Sequence, residues 1–176
     1  MTNKCLDTTA FGLFFVALVS LPIAFLCILG YADVDYGTAD EELGKFLMVC
    51  AVFILIAAIG AYKANSNFGF TVFGLVATGV FFAGYAGGAL YTNLALAIVY
   101  LVALVWSYLA KNTPVLTTIL LTTALIFLFG GINVAEGGDG IWLLLKGIAA
   151  LANFALTIYL AFALVKVECE GCGCED

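Results

Sequence analysis

Six long apolar runs, separated by short polar and charged segments, dominate the hydropathy pattern of this sequence. Each run is about 20 residues long, which is the length that a helix needs to cross the hydrocarbon of a bilayer. Strands of a membrane barrel are about half as long, and backbone groups in lipid must be hydrogen-bonded within the protein, so the pattern predicts transmembrane helices. The predicted spans are residues 10–32, 45–62, 68–88, 90–110, 114–135 and 146–167.

The composition agrees with a chain that is dissolved in lipid. Of its 176 residues, 65% are hydrophobic and 10% are charged, and the mean hydropathy is +1.17. A soluble domain carries roughly 25% charged residues. The sequence therefore predicts an all-α integral membrane protein, with a six-helix domain over residues 1–167 and an acidic, Cys-containing tail over residues 168–176. The chain has six scattered Lys and no Arg, so the sequence argues against nucleic-acid binding.

The lysine residues are concentrated on one side of the predicted topology. Those at the N-terminus, in the second and fourth connections and at the C-terminal end are Lys4, Lys63, Lys111 and Lys166. On the other side, Lys45 and Lys146 lie at the predicted starts of helices, among most of the acidic residues. Since positive charge marks the cytoplasmic side, we predict a multi-pass cell-membrane protein with both termini in the cytoplasm. Lys146 and Lys166 are expected to reach the headgroups from helix ends.

Each odd-numbered helix is preceded by a polar cluster that is typical of a helix start. The clusters are Asp7-Thr8-Thr9, Asn65-Ser66-Asn67 and Asn112-Thr113-Pro114. Phe11-Gly12-Leu13 in the first helix recurs as Phe68-Gly69-Phe70 in the third. This recurrence favours an architecture of three repeated helical hairpins.

The predicted spans contain no Asp, Glu, Arg or His. A proton relay, an ion-coupled carboxylate site and a voltage sensor all require such groups, so the sequence favours none of them. Neutral groups remain: Ser20, Thr71, Thr78, Thr117, Thr118, Thr122, Thr123, Asn133, Asn153, Thr157 and Tyr159. Each such group on its own is typical of hydrogen bonding within or between helices. Together they suit a pathway for a small solute with one apolar and one polar end.

The C-terminal tail contains the pattern C-x2-C-x-C, formed by Cys169, Cys172 and Cys174. Three thiolates are candidate metal ligands, but the chain has no His and the tail no fourth ligand. We therefore predict a reduced cytosolic tail, with no metal and no cofactor. The sequence also lacks a nucleophile paired with a base, so we predict that the protein is not an enzyme.

One stretch of the sequence resembles a known family. Ala61–Thr71 is similar to the E-Y-x-x-x-N-x-F-G-x-T junction between the second and third helices of the acetate uptake transporters, also called succinate-acetate permeases. Further similarity lies in Asn133 after Gly130-Gly131, in Lys146-Gly147-Ile148 and in Ile158–Ala161. The resemblance covers most of the chain, including the six-helix length.

Several signature positions of that family differ here. The family begins its first helix with N-P-A-P-L-G-L, and Asp7–Leu13 retains only the final Gly-Leu. Ala61 replaces a usual Glu, and Leu164 stands where an acidic residue often lies. These differences leave the identity of the substrate open.

The resemblance implies a homohexamer of six-helix protomers, each with its own pathway that is closed by apolar constrictions and conducts acetate and sometimes succinate. Alignment places pathway positions near Val16, Val76 and Thr122. With the matching motif and polar positions, the candidate pathway residues are Phe11, Gly12, Leu13, Val16, Phe68, Gly69, Thr71, Phe73, Val76, Thr122, Asn133 and Tyr159.

The sequence thus favours a channel or transporter for acetate and similar monocarboxylates. An uncharged pore would suit a neutral solute such as urea, an amide or ammonia equally well. A membrane scaffold whose acidic tail binds a cytosolic protein is the third hypothesis.

Overall fold

The computed structural model describes residues 8–34, 39–86, 89–138 and 140–171. Within them the chain forms six α-helices and no strand, as predicted. The helices are α1 (Thr8–Tyr31), α2 (Ala39–Lys63), α3 (Asn67–Ala86), α4 (Leu90–Leu109), α5 (Pro114–Ala135) and α6 (Ile141–Gly171). Each one is long and apolar enough to span a bilayer, so the chain is a multi-pass membrane protein.

The predicted helix bounds agree with the structure to within a few residues, except at two helix starts. Helix α2 begins at residue 39 rather than 45, and α6 begins at residue 141 rather than 146. An apolar run marks only the part of a helix that fits the hydrocarbon, whereas helical hydrogen bonding continues into the polar flanks. Helix α6 also extends to Gly171, beyond the predicted boundary at residue 167.

The polar clusters before α3 and α5 do mark helix starts. The backbone N–H of Gly69 donates to Ser66 Oγ at 3.1 Å, which satisfies one of the free donors of the first turn. At α5, Thr113 occupies the N-cap without a side-chain capping bond, and Pro114 begins the helix. Asp7, the predicted cap of α1, lies outside the described residues, as does tail segment 172–176.

The helices pack as a ring in which each contacts its neighbours in the order α3, α2, α1, α6, α5, α4. Helix α1 packs extensively on α6, and α3 and α4 make only slight contact where the ring closes. The predicted hairpins are therefore packed unequally: α1 with α2 and α5 with α6 are close, and α3 with α4 is loose. We call the end where α1 begins the terminal face, and the end with Asp33 and Glu136 the acidic face.

Apolar side chains lie both inside the ring and on its outer surface. A buried apolar cluster that includes Leu13, Ile54, Val76, Tyr100 and Leu120 has members on all six helices, with Leu160 and Ala161 contributed by α6. Many large aliphatic and aromatic side chains are exposed on the outside, as expected where lipid is the solvent. An interior cavity lies toward the acidic face.

Candidate functional site

A cavity of about 490 Å³ lies at the acidic half of the bundle and is lined by residues from all six helices. Its wall is mainly aliphatic, and Phe127 forms part of it. Its polar side chains are Asn93, Asn133 and Lys146. The volume is in the range of ordinary ligand pockets and would hold a small carboxylate with several waters, since a water fills about 30 Å³.

Lys146 supplies the one positively charged side chain among the residues that line this cavity. A side-chain carbon on Gly130 would lie 3.6 Å from Lys146 Cδ and Cε and 3.4 Å from Asn93 Nδ2. The lysine stem therefore crosses the flat surface left by Gly130, beside the Asn93 amide. Lys146 forms no salt bridge with the described carboxylates. The cavity thus combines a cation and amide groups with apolar walls.

The position of Lys146 corrects the expectation that it lies at a helix end. Because α6 begins at Ile141, Lys146 is five residues inside the helix, which at 1.5 Å per residue is about 7.5 Å. Its side chain is half-buried and lines the cavity.

Asn133 lines the cavity and also shapes the turn that follows α5. Its side-chain Nδ2 donates to the carbonyl oxygen of Gly138 at 3.0 Å, and its backbone carbonyl oxygen accepts from the backbone N–H of Gly138 at 2.9 Å. Gly137 and Gly138 have backbone φ angles of +100° and +99°, which residues that carry a Cβ rarely adopt. The turn thereby holds the Asn133 amide at the cavity wall.

A cluster of neutral polar groups joins α1, α5 and α6 near the middle of the bundle, centred on Asn153. Asn153 Oδ1 accepts from Ser20 Oγ at 3.0 Å. Its Nδ2 contacts Thr122 Oγ1 at 2.9 Å, Thr123 Oγ1 at 2.8 Å and the Ile119 carbonyl oxygen at 3.2 Å. Both threonine hydroxyls donate to the Ile119 carbonyl, so their lone pairs remain to accept from the amide. These contacts tie three helices together without a charge.

Toward the terminal face, packed side chains close the bundle. The ring of Phe73 lies against Gly12, where an added side-chain carbon would be 2.6 Å from Phe73 Cε1 and 2.8 Å from Ala57 Cβ. Leu13, Val16 and Val76 are buried in the same cluster. The fold thus brings together five of the predicted pathway residues, in the constricted half of the bundle.

Replacing Gly12 by Ala is expected to lower the free energy of unfolding by about 1–3 kcal/mol, because the new methyl group would overlap Phe73 and Ala57. Thermal unfolding in detergent measures the change. Gly74→Ala is the matched control, since no atom lies within 4 Å of the added carbon. Equal melting temperatures for the two variants would contradict this packing role.

The other predicted pathway residues lie elsewhere. Phe11 and Tyr159 are on the outer surface, where 37% and 63% of their areas are exposed. At the terminal end of α3, Phe68 packs edge-on against Trp106 with ring centroids 5.0 Å apart, and Gly69 belongs to the helix cap. The Thr71 hydroxyl donates to the Asn67 carbonyl of its own helix at 2.9 Å.

Sequence reasoning did not select four residues that the fold directs inward: Asn93, Tyr100, Lys146 and Asn153. On α4 a signal was present, because the small or polar residues Asn93, Ala97, Ala103 and Ser107 recur at helical spacing with Tyr100 and form its buried face. Asn153 was identified only as one of many neutral polar groups.

The sequence matches no family model and no curated protein. A solved structure described as the bacterial acetate channel SatP superposes with a TM-score of 0.73 at 18% sequence identity, and the match covers 96% of each chain. At this identity the likeness concerns the fold. The chain therefore has the six-helix fold of the bacterial acetate channel SatP, the architecture that its resemblance to the acetate uptake transporters predicted.

Proposed function

We propose that this protein belongs to the acetate uptake transporters and is a membrane channel or transporter for acetate and similar small monocarboxylates. Each chain has its own pathway. The observation that carries the proposal is the cavity among all six helices, with Lys146 in its wall. The fold shared with an acetate channel supports the same function.

The lining of the cavity fits a carboxylate with a short apolar tail. Lys146 provides electrostatic attraction for the anion, and the nearby amide of Asn93 adds hydrogen-bonding groups. The aliphatic wall accommodates a methyl group without leaving polar groups unpaired. A cationic lining favours an anion over urea or an amide, so the monocarboxylate is preferred to a neutral solute.

A solute that enters the cavity has not yet crossed the bundle, because packed side chains lie between the cavity and the terminal face. Beyond the cavity, Phe73, Val76 and Leu120 belong to a packed cluster, so the solute must displace side chains to reach the terminal face. Acetate is small enough to need only local rotations. Succinate would bring a second carboxylate into this apolar region at a large desolvation cost, and we expect it to pass more slowly than acetate.

Uptake of labelled acetate into vesicles that contain the purified protein tests the proposal. We expect saturable uptake above that of protein-free vesicles, competed by unlabelled acetate more strongly than by urea or acetamide. Uptake equal to that of protein-free vesicles over a range of pH would overturn the proposal. Urea uptake without acetate uptake would favour the neutral-solute channel.

The assembly and topology belong to the same proposal. We infer a homo-oligomer, with the hexamer implied by the family resemblance, and both termini in the cytoplasm because of the lysine distribution. Mass measurement of the detergent-solubilised protein tests the first inference, and labelling of single introduced cysteines from each side of the membrane tests the second. Deleting residues 168–176 tests the scaffold hypothesis: loss of activity with an intact oligomer would favour a scaffold, and unchanged acetate uptake would count against it.

A further inference from the structure

The hydroxyl group of Tyr100 is fully buried and has no hydrogen-bond partner among the described residues. A buried donor without a partner is costly, and native structures contain few of them. The buried hydroxyls of Ser20, Ser107 and Thr157 are all hydrogen-bonded. Tyr100 is therefore unlike the other polar groups inside this bundle.

The other described side-chain atom without a partner, Asn112 Nδ2, lies in the α4–α5 connection, outside the spans. It is close to a bundle end, whereas Tyr100 is the eleventh residue of the 20-residue helix α4. At 1.5 Å per residue, Tyr100 is about 15 Å from the start of that helix and hence near mid-membrane. Water is scarce at this depth, and the hydroxyl requires another partner.

Tyr100 lies directly behind the wall of the cavity. Its ring is stacked on that of Phe127, with centroids 5.4 Å apart and planes 5° apart, and Phe127 lines the cavity. Asn93, two turns earlier on the same buried face of α4, also lines the cavity. Because side chains on a helix lean toward its N-terminus, we expect the Tyr100 hydroxyl to extend toward the Asn93 end of α4.

We propose that Tyr100 Oη donates a hydrogen bond to the carboxylate of the permeating monocarboxylate, at a second site reached when Phe127 rotates away. This inference rests on the proposed function and deepens it. Ring packing alone would be served by Phe, which carries no polar atom. Unlike the donors of the Asn153 cluster, this hydroxyl is not already hydrogen-bonded to the described residues, so it is a neutral donor that can replace part of the water shell of a carboxylate. The surrounding apolar cluster suits the methyl end of acetate.

The test removes only the hydroxyl. In Tyr100→Phe we expect acetate uptake by reconstituted vesicles to fall about tenfold, because the carboxylate loses a hydrogen bond in a region without water. The stacked ring remains, so the melting temperature without acetate should not decrease. Tyr108→Phe is the matched control on the same helix, because its side chain is 74% exposed, and its uptake should equal that of the wild type.

A binding measurement separates this inference from the proposed function. Acetate should raise the melting temperature of the detergent-solubilised wild-type protein, and the increase should be smaller in Tyr100→Phe. Acetate uptake by Tyr100→Phe at the wild-type rate would overturn the role of Tyr100. This result is expected if the only partner of the hydroxyl is a buried water. If the wild-type protein shows no acetate uptake, the proposed transport function is overturned. In that case, an acetate-induced rise in melting temperature that is smaller in Tyr100→Phe would still support acetate binding at Tyr100.

Discussion

Replacing Lys146 by Glu is expected to lower acetate uptake by on the order of 100-fold, because the cavity would repel the anion that it now attracts. A unit charge about 5 Å from a bound anion contributes roughly 1–3 kcal/mol at effective dielectric constants of 20 to 80. Reversal of the charge loses this attraction and adds a repulsion of similar size. The initial rate of labelled acetate uptake into vesicles measures the effect. Lys146→Met, which removes the charge and keeps an unbranched stem, should give an intermediate decrease of about tenfold.

The control for this experiment is Lys45→Glu. Lys45 is exposed on α2 near the acidic face and does not line the cavity, so the same change of charge there should be largely screened at physiological salt. Uptake of a neutral solute of similar size should not follow the charge at position 146. A Lys146→Glu protein that folds normally and conducts acetate at the wild-type rate would show that the anion bypasses this cavity.

Replacing Asn153 by Ala is expected to lower the free energy of unfolding by about 3 kcal/mol. The amide makes four contacts with groups on α1 and α5. Hydrogen bonds between helices in membranes contribute roughly 0.6 kcal/mol each, and the cavity left by the amide adds about 1 kcal/mol. Ser20, Thr122 and Thr123 keep bonds to their own helices, so the variant should still fold. Thermal unfolding in detergent measures the loss.

Thr118→Ala provides the comparison for Asn153→Ala. The Thr118 hydroxyl is exposed and donates only to the Pro114 carbonyl of its own helix at 2.8 Å, so its removal should change the melting temperature little. If Asn153→Ala were as stable as Thr118→Ala, the polar cluster would not join the three helices energetically. If Asn153→Ala is much less stable but takes up acetate at the wild-type rate at low temperature, the polar cluster stabilises the bundle and has no role in transport.

Prediction from the sequence succeeded for the helices and was less informative for the pathway. The apolar runs gave six helices, and Ser66 and Pro114 marked two helix starts, since span length and capping are local properties. The apolar runs did not predict the first turns of α2 and α6, or the last residues of α6. The depth of Lys146 within its helix was missed for the same reason, because it follows from an α6 start at Ile141 rather than at residue 146.

The inner and outer faces of the helices were the part that only the tertiary structure decided. In water, a polar stripe identifies the exposed face of a helix, but in lipid both faces are apolar and the pattern loses this information. Phe11 and Phe73 look alike in the sequence, yet Phe11 is on the outer surface and Phe73 packs against Gly12 inside the bundle. The sequence by itself determined that this chain is a bundle of membrane-spanning helices whose apolar runs contain no Asp, Glu, Arg or His. The packing of those helices decided that Lys146 faces a cavity and that the hydroxyl of Tyr100 is buried behind it, because both arrangements depend on contacts between segments distant in the chain.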